Sequence, residues 1–156
     1  MEQEWMPFII SIKTALTATM ITFFLGIFAA NKINKINPKH KGILDSLFTL
    51  PMVLPPTVIG FFLLVILGRN GFIGKLLYSI GINVIFSWGA TVIAAVVVSF
   101  PLMYSTAKGA FEQIDKNILN AAQTMGVSNF KIFWKIMIPL AWPGIAAGTI
   151  LSFARA

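Results

Sequence analysis

The feature that most constrains this chain is a set of four long apolar runs that contain almost no charge. They cover residues 8–30, 47–67, 84–104 and 136–153. A helix needs about 20 apolar residues to cross roughly 30 Å of hydrocarbon. The first three runs meet that length, and the fourth is near the minimum. The chain has 12 basic and 5 acidic residues among 156, only 11% charged against 57% hydrophobic. That is too little charge to cover a soluble surface of this size. The expected fold class is therefore all-α, a polytopic helical membrane protein with four transmembrane helices. Lys13, the one charge in the first run, is near enough to its start to snorkel to the interface.

Loop charge sets the expected orientation. The connection 31–43 carries Lys32, Lys35, Lys39 and Lys41, and the connection 105–135 carries Lys108, Lys116, Lys131 and Lys135. The connection 68–83 has only Arg69 and Lys75, and the residues before the first run bring Glu2 and Glu4. The basic connections belong in the cytoplasm, and the N-terminus outside. The last residues still read as helix, with no cap or polar tail, so a C-terminally truncated chain is expected.

Several chemistries are disfavoured. There are no cysteines and one histidine, His40, so no Cys- or His-based metal cluster and no thiol catalyst is expected. No paired carboxylates or His-based triad suggests an enzyme, and no cofactor is implied. The acids Glu2, Glu4, Asp45, Glu112 and Asp115 lie in or beside the connections. A proton-driven carrier usually buries carboxylates in its spans. The stretch 68–75 has the wrong glycine spacing for a phosphate loop and reads as an outer turn. Lysines clustered beside apolar runs suit membrane-flanking loops and not a nucleic-acid groove, so the expected contacts include lipid and exclude nucleic acid.

Within the spans, three prolines stand out. Pro51, Pro55 and Pro56 fall in the second run, followed by Thr57. They predict a kink or short unwound stretch, which must face protein or a water-filled cavity. Two readings stay open: a kinked helix buried by neighbours, or a solute pathway past the freed backbone and Thr57. Arg155 adds positive charge near the outer mouth, or simply snorkels. Gly144 and Gly148 form a G-x-x-x-G face, and Ala90, Ala94 and Ala95 a second small-residue face. Trp5 and Trp88 are expected at the outer interface, Trp134 and Trp142 near the inner one.

The connection 105–135 is longer than two helices require and is patterned. Asp115 is placed to cap a short helix over 116–125, with Ile118, Leu119, Ala122 and Met125 on its apolar side, ended by Gly126. Ser128 is placed to cap a second short helix over 129–137, and Pro139 to open the fourth span. The protrusion fits either protein docking or contact with lipid headgroups.

Ala121-Ala122-x3-Gly126-x9-Ile136-x-Ile138-Pro139 resembles the EAA loop of permease subunits of bacterial ABC importers: Glu-Ala-Ala, three residues, Gly, nine residues, Ile-x-Leu-Pro. Asn120 replaces the Glu, and Ile138 the Leu. The stretches 49–60, 67–74, 138–148 and 152–156 look like those of molybdate permeases. The resemblance implies a C-terminal continuation through a Gly-Glu-Phe-Gly segment and a final span. It implies a bacterial inner-membrane importer in which two permease chains form the pathway. Each docks Asn120, Ala121, Ala122 and Gly126, with Ile136 and Pro139 completing the motif, on a cytoplasmic ATP-binding subunit that hydrolyses the ATP. A periplasmic or lipid-anchored binding protein delivers the oxyanion. Molybdate is expected, with tungstate, sulfate or thiosulfate as alternatives. The reading from a different class is a carrier or channel not driven by ATP. The candidate pathway residues are Pro51, Pro55, Pro56, Thr57 and Arg155.

Overall fold

A computed structural model describes residues 2–34, 36–69, 71–79 and 87–156. Lys35 of the first connection and the predicted start of the third span, 84–86, lie outside the described residues. The described elements are helical: α1 (Glu2–Asn34), α2 (Pro38–Val53), α3 (Pro56–Leu67), α4 (Phe72–Ser79), α5 (Trp88–Glu112), α6 (Lys116–Thr124), α7 (Asn129–Ile132), a π turn (Phe133–Met137) and α8 (Ile138–Arg155). Three stretches are long and apolar enough to cross a membrane, Trp5–Asn34, Trp88–Glu112 and Asn129–Arg155. The pair α2 and α3 makes a fourth if counted as one broken span.

Hydroxyl groups are frequent in α1, and several bond back to the helix itself, while Thr19 Oγ1 is buried without a partner. Thr14 Oγ1 donates to the Ile10 carbonyl at 2.8 Å, Thr17 to Lys13 at 2.7 Å and Thr22 to Ala18 at 3.0 Å. Back-bonding of this kind lets polar side chains sit in an apolar environment without other partners. The core joins α1, α5 and α8 through Ile27, Ala30, Met103, Tyr104, Ala107 and Ile145, all buried. Many large apolar side chains elsewhere are exposed, as a lipid-facing surface requires.

Close approach depends on small residues. A Cβ at Gly26 would stand 2.7 Å from Met103 Cγ, so α1 and α5 meet there nearly backbone to side chain. A Cβ at Gly144 would stand 2.5 Å from the Ala110 Cβ, and one at Gly148 would collide with Thr106 Oγ1. The expected G-x-x-x-G face is thus the α5–α8 contact. Ser152 Oγ extends it, donating to the Ser99 carbonyl at 3.4 Å. These pairings set the directions: Thr14 meets Trp88 and Gly26 meets Met103, so α1 and α5 run parallel, while α8 runs antiparallel to α5.

The second predicted span is not one helix. It breaks at Leu54 and Pro55, and its halves bend by 111°. Both break residues are extended, with ψ of 141° and 142°. Each precedes a proline, and a residue before proline is pushed out of the α region. Pro55 and Pro56 also offer no N–H to the carbonyls four residues back. Pro56 then starts α3 in its first turn, where no N–H is needed. Pro7, Pro51, Pro101 and Pro143 each sit inside a helix that continues through them. The tandem pair, not proline as such, makes the break. The expected kink or short unwound stretch is thus a two-residue break with a sharp bend.

Two further boundaries differ from expectation. α5 continues past Tyr104 to Glu112, well into the predicted connection. The second short helix does not stand apart from the fourth span. α7 runs through the π turn into α8, making one stretch, Asn129–Arg155. Pro139 would clash with the carbonyl of residue 135 in a regular helix. Widening the turn relieves this, and the Ile138 N–H reaches back to the Phe133 carbonyl. The stretch 68–75, expected as an outer turn, includes the start of α4.

Candidate functional site

The protrusion begins where α5 ends. Ile114 is buried and anchors the turn, and Asp115 caps α6 by accepting from the Asn117 N–H at 2.8 Å. Leu119 and Ala122 face the core, with Ala122 buried. Ile118 is 44% exposed and Met125 82%, so half of the expected apolar side faces outward. The helix stops at Gly126, whose φ is +74°. The Val127 N–H donates to the Ala122 carbonyl at 3.1 Å and the Gly126 N–H to the Gln123 carbonyl at 2.9 Å. That pair of bonds is a Schellman motif, and its αL residue is where glycine is favoured. Val127 packs back on the cluster that holds Ala122. Ser128 occupies the cap position of α7, but its side chain makes no capping hydrogen bond.

The motif residues therefore divide by role. Ala122 and Gly126 shape α6 and its end, while Asn120 and Ala121 are exposed beside them. Ile136 is half-buried in the π turn, and Pro139 lies in the first turn of α8. Phe130 of α7 and Trp134 of the π turn add exposed apolar surface to that of Met125. The whole forms a short polar-flanked knob with an apolar rim.

Behind the knob, an ionic cluster fastens α2 to α5. Lys41 Nζ contacts Glu112 Oε1 at 2.7 Å and donates to Asn34 Oδ1 at 3.2 Å. Lys108 lies between Asp45, with which it forms an ion pair, and Glu112 at 3.8 Å. Tyr104 donates its hydroxyl to Asp45 as well. Phe48 stacks edge-on against Tyr104 and Phe100, at 5.2 and 5.4 Å between centroids. The sequence reading placed Asp45 and Glu112 beside loops and missed this cluster. The only local signal was the Lys108–Glu112 spacing of four.

The candidate pathway residues do not converge. Pro51 is half-buried in α2, and Pro55, Pro56 and Thr57 are exposed at the break. Arg155 is exposed at the end of α8, on a different element. A pocket of about 780 Å³ opens one turn beyond the break, between Gly60 and Leu63 of α3, Ile10 and Lys13 of α1, and Trp88 and Thr91 of α5. The prolines aim its α3 wall without lining it. No group of three or more metal-ligating side chains occurs among the described residues.

Residues 22–156 match the family described as the binding-protein-dependent transport system inner membrane component. The chain belongs to this family. Among relatives in the binding-protein-dependent transport family, it is similar to the molybdenum transport system permease protein ModB of Escherichia coli K12. They are 43% identical over 99% of this chain and 68% of the relative. It is also similar to the putative molybdenum transport system permease protein YvgM of Bacillus subtilis, 44% identical over 96% of this chain and 66% of the relative. The probable sulfate transport system permease protein cysT of Chlorokybus atmophyticus is 35% identical over 96% of this chain and 52% of the relative. The chain thus spans about two thirds of the length of these two molybdenum-transport relatives.

Proposed function

We propose that this chain is the membrane-spanning subunit of an ATP-driven importer of a tetrahedral oxyanion, with molybdate as the substrate. The observation that carries the reading is α6. A slim capped helix, stopped by a left-handed glycine and rimmed by exposed apolar residues, suits insertion into a groove of a separate protein. Asn120 and Ala121 present its docking surface, Ala122 and Gly126 set its shape from behind, and Ile136 and Pro139 tie it to α8. A cytoplasmic ATP-binding subunit grips the knob and performs the hydrolysis, and the chain itself is not catalytic. A second copy of the chain completes the pathway, and a periplasmic or lipid-anchored binding protein delivers the oxyanion. The protein lies in the bacterial inner membrane with its N-terminus outside. The parallel course of α1 and α5 supports this, as does the gathering of lysines at the Glu112 end of α5. The spans carry hydroxyls and few carboxylates, which favours passage of a dianion. Pro51, Pro55, Pro56 and Thr57 shape the pathway wall, and Arg155 supplies charge at the outer mouth.

The similarity to a sulfate permease supports sulfate or thiosulfate as the second reading, with tungstate as a close analogue of molybdate. Uptake of labelled molybdate and sulfate by cells carrying or lacking the gene separates the two. Loss of ATP-dependent molybdate uptake in the deletion strain is expected. Selective loss of sulfate uptake would establish the second reading, and uptake insensitive to ATP depletion would refute both in favour of a carrier.

A further inference from the structure

Lys13 reaches across from α1 to α5. Its Nζ lies 4.8 Å from the centre of the Trp88 ring. Trp88 is held in place, because its Nε1 donates to Thr14 Oγ1 at 3.0 Å and that hydroxyl is anchored to the Ile10 carbonyl. Lys13 thereby becomes part of the wall of the 780 Å³ pocket, facing Leu63 and Leu67 of α3 and Thr91 and Ala94 of α5. Lys41 and Lys108, at the other end of α5, are tied to Glu112 and Asp45. Among the described residues no carboxylate lines this pocket or pairs with Lys13. A cation placed within a membrane span needs a counter-charge, and an aromatic face supplies only part of one.

We propose that Lys13 is an anion-binding residue and that the pocket between α1, α3 and α5 is a transit site for a tetrahedral oxyanion. This deepens the proposed function and rests on it for the identity of the anion. The ammonium supplies charge and donors, the Thr91 hydroxyl lines the same space, and the apolar walls make no strong bond. A site with one cation and a volume well above that of one oxyanion holds its guest weakly, as conduction requires. Trp88 keeps the ammonium in the wall when no anion is present. A phospholipid phosphate has the same chemistry, so the test separates the two sources.

The test uses the assembled transporter in vesicles, with Lys13→Gln and Lys13→Arg. Removing one charge from a membrane helix does not oppose insertion. Lys13→Gln is expected to reduce molybdate uptake roughly tenfold, the effect of losing one charge-assisted hydrogen bond. Basal ATP hydrolysis and subunit assembly should stay unchanged, and Lys13→Arg should retain most uptake. Wild-type uptake in Lys13→Gln overturns the proposal while leaving the importer reading intact. Loss of ATP-driven oxyanion uptake in the wild type would instead remove the importer reading. In maltoside micelles free of phospholipid, titration with molybdate should change the tryptophan fluorescence saturably, and Lys13→Gln should abolish the change. A change that appears only when phosphatidylglycerol is added assigns the site to lipid phosphate and overturns the transit role.

Discussion

Gly126 offers the sharpest test of how the protrusion is built. An ideal Cβ at this position meets nothing within 4 Å, so no side chain or backbone obstructs a larger residue. Any penalty must come from the backbone, held at φ +74°. The left-handed region costs an L-residue about 1–2 kcal/mol relative to glycine. Asparagine is the usual exception, because its side chain tolerates that region. At about 1 kcal/mol, Gly126→Ala should lower the closed-to-open ratio of the Schellman turn roughly fivefold. Gly126→Val should lower it further, since β-branched residues are true outliers at positive φ. Gly126→Asn should stay near the wild type. The readout is amide hydrogen exchange at Val127, whose N–H closes on the Ala122 carbonyl at 3.1 Å. Protection should fall in the order Gly and Asn, then Ala, then Val. Equal protection in all four would refute the claim that glycine is needed for its φ. Gly126→Asp separates shape from docking: it tolerates the turn but adds a carboxylate to the proposed docking face. It should leave Val127 protected while weakening co-purification with the ATP-binding subunit.

Other expectations follow from the packing. Gly148→Val should destabilise the α5–α8 contact by about 1–3 kcal/mol through overpacking. Gly109→Ala meets open space and should be neutral or mildly stabilising, both read from thermal unfolding in detergent. A double-mutant cycle on Asp45→Asn and Lys108→Met should give a coupling energy of about 0.5–3 kcal/mol. Additive effects would show that the pair does not fasten α2 to α5. Replacing Pro55 and Pro56 together by alanine should let α2 and α3 straighten. Spin labels at the exposed positions Ile43 and Phe61 would then separate toward the roughly 27 Å of a continuous helix, and an unchanged distance would mean that packing, not proline, sets the bend.

What could be read in advance, and what could not, follows the range of the interactions involved. Asp115, Gly126 and the alternation between them act over a few residues, so spacing alone located α6 and its end. The tandem Pro55-Pro56 announced a break, because each proline constrains its predecessor, but the angle depends on what α2 and α3 pack against. The Lys41–Glu112 and Lys108–Asp45 pairs join residues 71 and 63 apart in the chain, and no local pattern brings them together. Pro139 was read as a helix start because the rule for first-turn proline is local. The π turn offers another solution, widening the helix so that it runs on from α7 to α8. For Lys13, the run length fixes only its depth. Its sideways turn onto Trp88 depends on α1 and α5 being neighbours.

These elements meet in α5. Only a short turn through the buried Ile114 separates Glu112 from the cap of α6. Glu112 and Lys108 also hold Lys41 and Asp45 of α2, so a push on α6 reaches α5 and α2 together. Phe48, packed against Phe100 and Tyr104, extends that union toward the break. Beyond Leu54 and Pro55 the chain has changed direction, and α3 carries Gly60, Leu63 and Leu67 into the pocket wall opposite Lys13. On the proposed function, the latched part and the pocket wall lie on opposite sides of the bend. The break is their joint. A hinge built from two prolines bends at a fixed place because neither neighbouring residue readily enters the helix. On that reading, movement at the knob changes the pocket through the α2–α3 angle, around Lys13, which faces the Trp88 ring and, among the described residues, no carboxylate.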